Sequence, residues 1–114
     1  MFKFFRDIAA PTTIANNFNK LYGNLKSLAE LIDRGTCTDS QIAAFIIENA
    51  RYARKEIIDY GQTSNIDMTQ KLYIGNISTN RVLLTDAFNV TINPLVMLGE
   101  KYNCGEKVRT ILFD

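Results

Sequence analysis

Between residues 12 and 61, apolar side chains return at alternating steps of four and three. Only an α-helix turns that spacing into one continuous face. Ile14, Phe18, Leu21, Leu25, Leu28 and Ile32 form the first such stripe, widened on one flank by Ala15, Tyr22 and Ala29. A free-standing coiled coil would carry charges at the flanking positions, yet Ala15, Asn17, Tyr22, Asn24, Ala29 and Leu31 are all uncharged. The face is therefore wide, as in a globular bundle. Thr12 or Thr13, just after Pro11, offers a hydroxyl to cap the start. Gly35, after Arg34, suits a left-handed stop.

The second stripe opens on Thr38-Asp39-Ser40-Gln41, a capping box with an acid near the positive end of the helix dipole. Its face carries Ile42, Ala43, Phe45, Ile46, Ala50, Ala53, Ile57 and Tyr60, and Gly61 supplies the expected stop. Alanines at 43, 50 and 53 allow a neighbouring helix to come close. Each helix is expected to run about 22 residues, or roughly 33 Å. The loop between them, Gly35-Thr36-Cys37, is short enough to force an antiparallel hairpin.

The second half of the chain is read as shorter helices. Asp67 can cap one over Met68 to Ile74, closed by Gly75. Ser78 or Thr79 can cap another that includes Val82, Leu83, Ala87 and Phe88. Asn93-Pro94 looks like an N-cap and first helical position for a third over Leu95, Leu98 and Tyr102, ended by Cys104-Gly105. A last short helix spans Glu106 to Phe113. The fold expected is all-α: a small helical bundle built on a long antiparallel hairpin at about 12–61. The alternative is α+β, with a short hairpin at about 71–85, because Leu72-Tyr73-Ile74, Val82-Leu83-Leu84 and Val108 to Phe113 also read as strands around a Ser78-Thr79-Asn80 turn. A length of 114 residues suits one domain, residues 1–114.

Composition narrows the function classes. Hydrophobic residues are 46% and charged residues 22%, which places the chain among globular proteins. Thirteen basic and twelve acidic side chains leave a net charge of +1, too little for a whole-molecule pull toward nucleic acid or anionic lipid, and little repulsion against self-association. Eleven asparagines are scattered singly or in pairs rather than in tracts, so a prion-like reading fails. Cys37 and Cys104 have neither CxxC spacing nor secretory context. Met1-Phe2-Lys3-Phe4-Phe5-Arg6-Asp7 puts charges where an apolar signal core would lie, and no apolar run approaches a membrane span. The expectation is a cytoplasmic protein with reduced thiols.

Reactive groups are few. Histidine is absent, which removes the usual general base and rules out Ser–His–Asp and Cys–His arrangements. Two cysteines without histidine make no ordinary zinc site, and no glycine-rich phosphate loop occurs. Glu48, Asp59, Asp67, Asp86 and Glu100 lack an acidic neighbour at helical spacing, and capping or surface pairing explains them. No catalytic, cofactor or metal residue is assigned, and the chain is read as non-enzymatic.

Two functional readings remain. The first is a helical protein–protein interaction or homo-oligomerisation module. Ile42, Phe45, Ile46, Ile47, Ile57 and Ile58 span more than one side of the second helix and demand cover beyond the hairpin. Arg54, at the border of that face, is a candidate polar anchor. Phe2, Phe4, Phe5 and Ile8, interleaved with Lys3 and Arg6, form a further apolar segment for docking on the bundle, a partner or a membrane surface. Candidate partner contacts are thus Phe2, Phe4, Phe5, Ile8, Ile47, Arg54 and Ile58. The second reading is a nucleic-acid-associated regulator using Arg51, Arg54 and Lys55, with Lys20 and Lys26 behind them. Glu48 and Asp59 balance that strip, and no helix-turn-helix break interrupts it.

Overall fold

The computed structural model describes the backbone of residues 2–114 and the side chains of residues 9–114. The chain is a small, mostly helical bundle. Helix α1 (Phe2–Arg34) lies antiparallel to a second rod made of α2 (Asp39–Ala53), a π turn (Arg54–Asp59) and α3 (Tyr60–Thr63). Strands β1 (Lys71–Leu72) and β2 (Val82–Leu83) follow, then α4 (Leu84–Lys101) and α5 (Gly105–Phe113).

The hairpin forms as the stripes require. Ile14, Phe18, Leu21, Leu25 and Leu28 are buried against Ile42, Ile46, Ala50, Ala53 and Ile57. Removing side chains of this size from water contributes about 1.5–3 kcal/mol each for the larger ones. The box at Thr38 closes in both directions, Gln41 N–H donating to Thr38 Oγ1 at 3.2 Å and Thr38 N–H to Gln41 Oε1 at 2.9 Å. Gly35 takes φ +66°, a conformation that costs glycine nothing.

Three details of the hairpin differ from expectation. Helix α1 begins at Phe2, so Thr12 and Thr13 lie inside it and Pro11 is an interior residue. A proline there removes one backbone hydrogen bond. Ala10, 1% exposed, extends the stripe of Ile14 and Phe18 one turn upstream, and that burial holds the helix through the proline. Gly61 does not stop the second rod. It lies in α3, where a Cβ would sit 3.3 Å from Ile14 Cδ1, so its smallness serves close packing. Phe45 is 44% exposed, because the buried line through Ile42 and Ile46 turns it toward the outer seam of the hairpin.

Larger differences lie in the second half. No helix forms over Met68 to Ile74. Asp67 instead closes a local turn, its Oδ1 accepting from Thr69 N–H and Oγ1 at 2.9 and 2.6 Å. The chain then extends into β1, which pairs antiparallel with β2 in the register Lys71↔Leu83 and Leu72↔Val82. The hairpin alternative therefore describes this short stretch, inside an otherwise helical fold. Neither Ser78 nor Thr79 caps a helix. Helix α4 starts at Leu84 with no capping side chain; the amides of Leu84 and Thr85 donate to the carbonyls of Gln70 and Met68 at 3.1 and 3.0 Å. The cap is a piece of backbone distant in sequence, which no local motif announces.

Asn93-Pro94 likewise falls inside α4 rather than opening a helix. The buried residues Leu84, Ala87, Thr91, Leu95 and Gly99 keep helical spacing through it. The proline takes away the amide that would serve the carbonyl of Val90, a residue 42% exposed, where water is at hand. Helix α4 ends on Asn103, at φ +61°, with Cys104 N–H donating to Gly99 O and Asn103 N–H to Glu100 O. That pattern is a Schellman ending, and Gly105 begins α5 instead of closing α4.

Candidate interaction site

The site begins with a break in helical register. Within Arg54–Asp59 the rod closes wider rings than α-helix on either side. A widened turn frees backbone groups that need outside partners, and such turns recur at functional positions. One side chain bonds to the backbone of the turn, and a second ties the turn to α5. From α1, Asn17 Nδ2 donates to Glu56 O at 2.7 Å. Arg54 Nε donates to Asp59 Oδ1 at 2.8 Å, and its Nη1 to Ile111 O at 3.1 Å. Ile111 is in the last turn of α5, where carbonyls lack helical partners and a cation meets the negative end of the dipole.

Arg54 is thus turned inward, with 32% of its side chain exposed. The candidate anchor and one third of the candidate basic strip fasten the π turn to the end of α5. Arg51 is exposed, while Lys55 is largely solvated and 3.9 Å from Glu56. Asp59, which the spacing pairs with Lys55, pairs with Arg54 because the wider turn brings residues five apart together.

Beside the π turn lies an open apolar cleft of about 210 Å³, lined by Ile57, Ile58, Gly61, Gln62, Ile66, Met68 and Phe88. It adjoins a shallower hollow over Met68, Thr85, Phe88 and Asn89. One wall is the second rod, the other the start of α4, and the loop after α3 forms the end. That loop is held by a second asparagine stop, Asn65 at φ +52°, with Ile66 N–H donating to Gly61 O at 3.0 Å. None of the described side chains lining the two hollows titrates. The walls suit apolar contact; Gln62, Thr85 and Asn89 supply the polar points.

Ile58 lines the cleft, whereas Ile47 is half-buried elsewhere on α2. The side chains of Phe2, Phe4, Phe5 and Ile8 lie outside the described residues. Ile66, Met68 and Phe88 are not among the candidate contacts read from the sequence. The one signal that pointed here is the Ile57-Ile58 doublet, since adjacent isoleucines cannot share one helical face.

Elsewhere, the outer seam of the hairpin is a polar-rimmed groove. Asn24 Nδ2 donates to Asn49 Oδ1 at 3.2 Å, and Lys20 Nζ sits 5.1 Å from the centre of the Tyr52 ring, with Phe45 alongside. Burial first, and the charge of Glu56 second, raise the Tyr52 phenol above its ordinary value. Cys37 is a free, half-buried thiol in the interhelix loop. Burial pushes the Cys104 thiol up, with Lys107 opposing, which leaves little thiolate at neutral pH. No three acidic or thiol side chains converge as metal ligands, and no helix is long and apolar enough to cross a membrane, among the described residues. Set against family models, curated proteins and solved structures, the chain finds no match in any of the three comparisons.

Proposed function

We propose that this chain is a helical interaction module that associates with a second copy of itself through the cleft between the π turn and α4. The observation carrying this reading is the cleft's chemistry: isoleucine, methionine and phenylalanine walls left open to water, with no titratable group among the described residues lining them. An apolar hollow of this kind can take up a partner's side chain as an anchor. A net charge of +1 offers little electrostatic opposition to like–like contact. The inward turn of Arg54 weakens the competing nucleic-acid reading, which keeps only Arg51 and Lys55 of its original strip.

Sedimentation velocity across a micromolar dilution series tests the proposal. A weight-average mass that rises from monomer toward dimer with concentration supports it. A single monomer boundary at every concentration overturns it. A low-salt gel shift run beside it reads the competing hypothesis directly, because phosphate-driven binding weakens steeply with salt.

A further inference from the structure

The π turn has its own consequence, whether or not a partner uses the cleft. An α-helix closes its hydrogen-bonded ring between residues four apart, a π turn between residues five apart. With α-helix on both sides, the second rod carries one residue more at Arg54–Asp59 than an unbroken helix would need. We propose that this turn is a one-residue expansion of an otherwise α-helical rod, and that the added residue opens the cleft at Ile57 and Ile58.

Three observations support the assignment. Arg54 and Asp59 are five apart, and in an α-helix such residues lie about 140° apart around the axis; here they are in direct contact. Asn17 reaches across from α1 to the carbonyl of Glu56, inside the widened turn. Ile57 is 2% exposed in the core, and both it and the adjacent, partly exposed Ile58 line the cleft. Lys55 is the residue to remove, since its side chain is 84% exposed. Its loss leaves Arg54 and Asp59 four apart, the spacing at which an α-helix itself joins an ion pair.

The experiment compares two single-residue deletions in the full chain, Lys55 in the π turn and exposed Glu48 in regular α2. Deleting Lys55 is expected to leave a cooperative melt with Tm within about 5 °C of the parent, a shift of the size one modest contact produces. Deleting Glu48 rotates Ala50, Ala53 and Ile57 off the core face by about 100°, and the cooperative transition is expected to be lost. In the Lys55 deletion the Met68 methyl and Phe88 ring resonances, distant in sequence, are expected to shift as the cleft changes shape. Loss of the cooperative melt in both variants overturns the one-residue expansion. A folded Lys55 deletion with unchanged Met68 and Phe88 signals overturns its role in shaping the cleft.

Discussion

At the scale of single residues, asparagine does much of the conformational work. Asn65 and Asn103 both hold positive φ, at the ends of α3 and α4. A side chain without asparagine's local hydrogen bonding meets a cost of about 1–2 kcal/mol in that region, and glycine meets none. Asn103→Ala is therefore expected to destabilise the fold by about 1 kcal/mol, and Asn103→Gly to change it little; thermal melts of the two variants check this. Asp67 provides a pH signature. The hydroxyl and amide of Thr69 hold its carboxyl below the usual carboxylate value. A depressed folded value means the contribution is present above the unfolded value and lost as pH falls through the folded one. A carboxyl-carbon NMR titration is expected to place the Asp67 midpoint below that of ordinary aspartates, and Thr69→Val to raise it. Neither feature stands out in the sequence. Asparagine and aspartate serve helix starts as readily as helix ends, and only the finished backbone shows which role each takes.

At the scale of elements, the long rods were legible and the junctions were not. Six apolar residues at helical spacing, with Gly35 and the Thr38 box at the bend, specified residues 12–34 of α1 and the start of α2 locally, but not the first ten residues of α1. The start of α4 depends on carbonyls from residues 68 and 70, and its passage through Pro94 on burial of Leu95 and Gly99. Those causes are tertiary, so turn and cap signals at Asp67, Ser78 and Asn93 pointed to boundaries that do not exist. The π turn leaves no periodic trace either, because Ala53 and Ile57 keep a spacing that plain α-helix also allows. Arg54 joins these elements. Arg54→Met is expected to cost about 1–2 kcal/mol, since it removes a charge-assisted bond to the end of α5. Asp59→Asn, at a half-exposed carboxylate, is expected to cost less than about 1 kcal/mol. Amide exchange should quicken in the last turn of α5 in the first variant and stay near parental there in the second.

At the scale of the molecule, the bundle measures 47 × 32 × 21 Å, its long axis comparable to α1, which at 1.5 Å per residue is about 50 Å long. The sequence showed that a hairpin alone leaves apolar surface on its second rod, and α4 and α5 cover most of it. Phe45 stays exposed at the outer seam, and an apolar cleft stays open where the π turn, the loop after α3 and the start of α4 meet. Residues 57–62 and 66–68 meet Phe88, twenty residues further along the chain, to build that cleft, so of its lining only Ile58 was legible as a candidate contact. Met97 on α4, 68% exposed, lies outside the cleft and provides the contrast. The most direct test is the self-association constant, measured by sedimentation equilibrium for the parent, Phe88→Glu and Met97→Glu, with circular dichroism confirming the fold of each. The account predicts that Phe88→Glu weakens association at least tenfold, or about 1.4 kcal/mol, and that Met97→Glu leaves it near the parental value. Equal association in all three, or loss only in Met97→Glu, would contradict it.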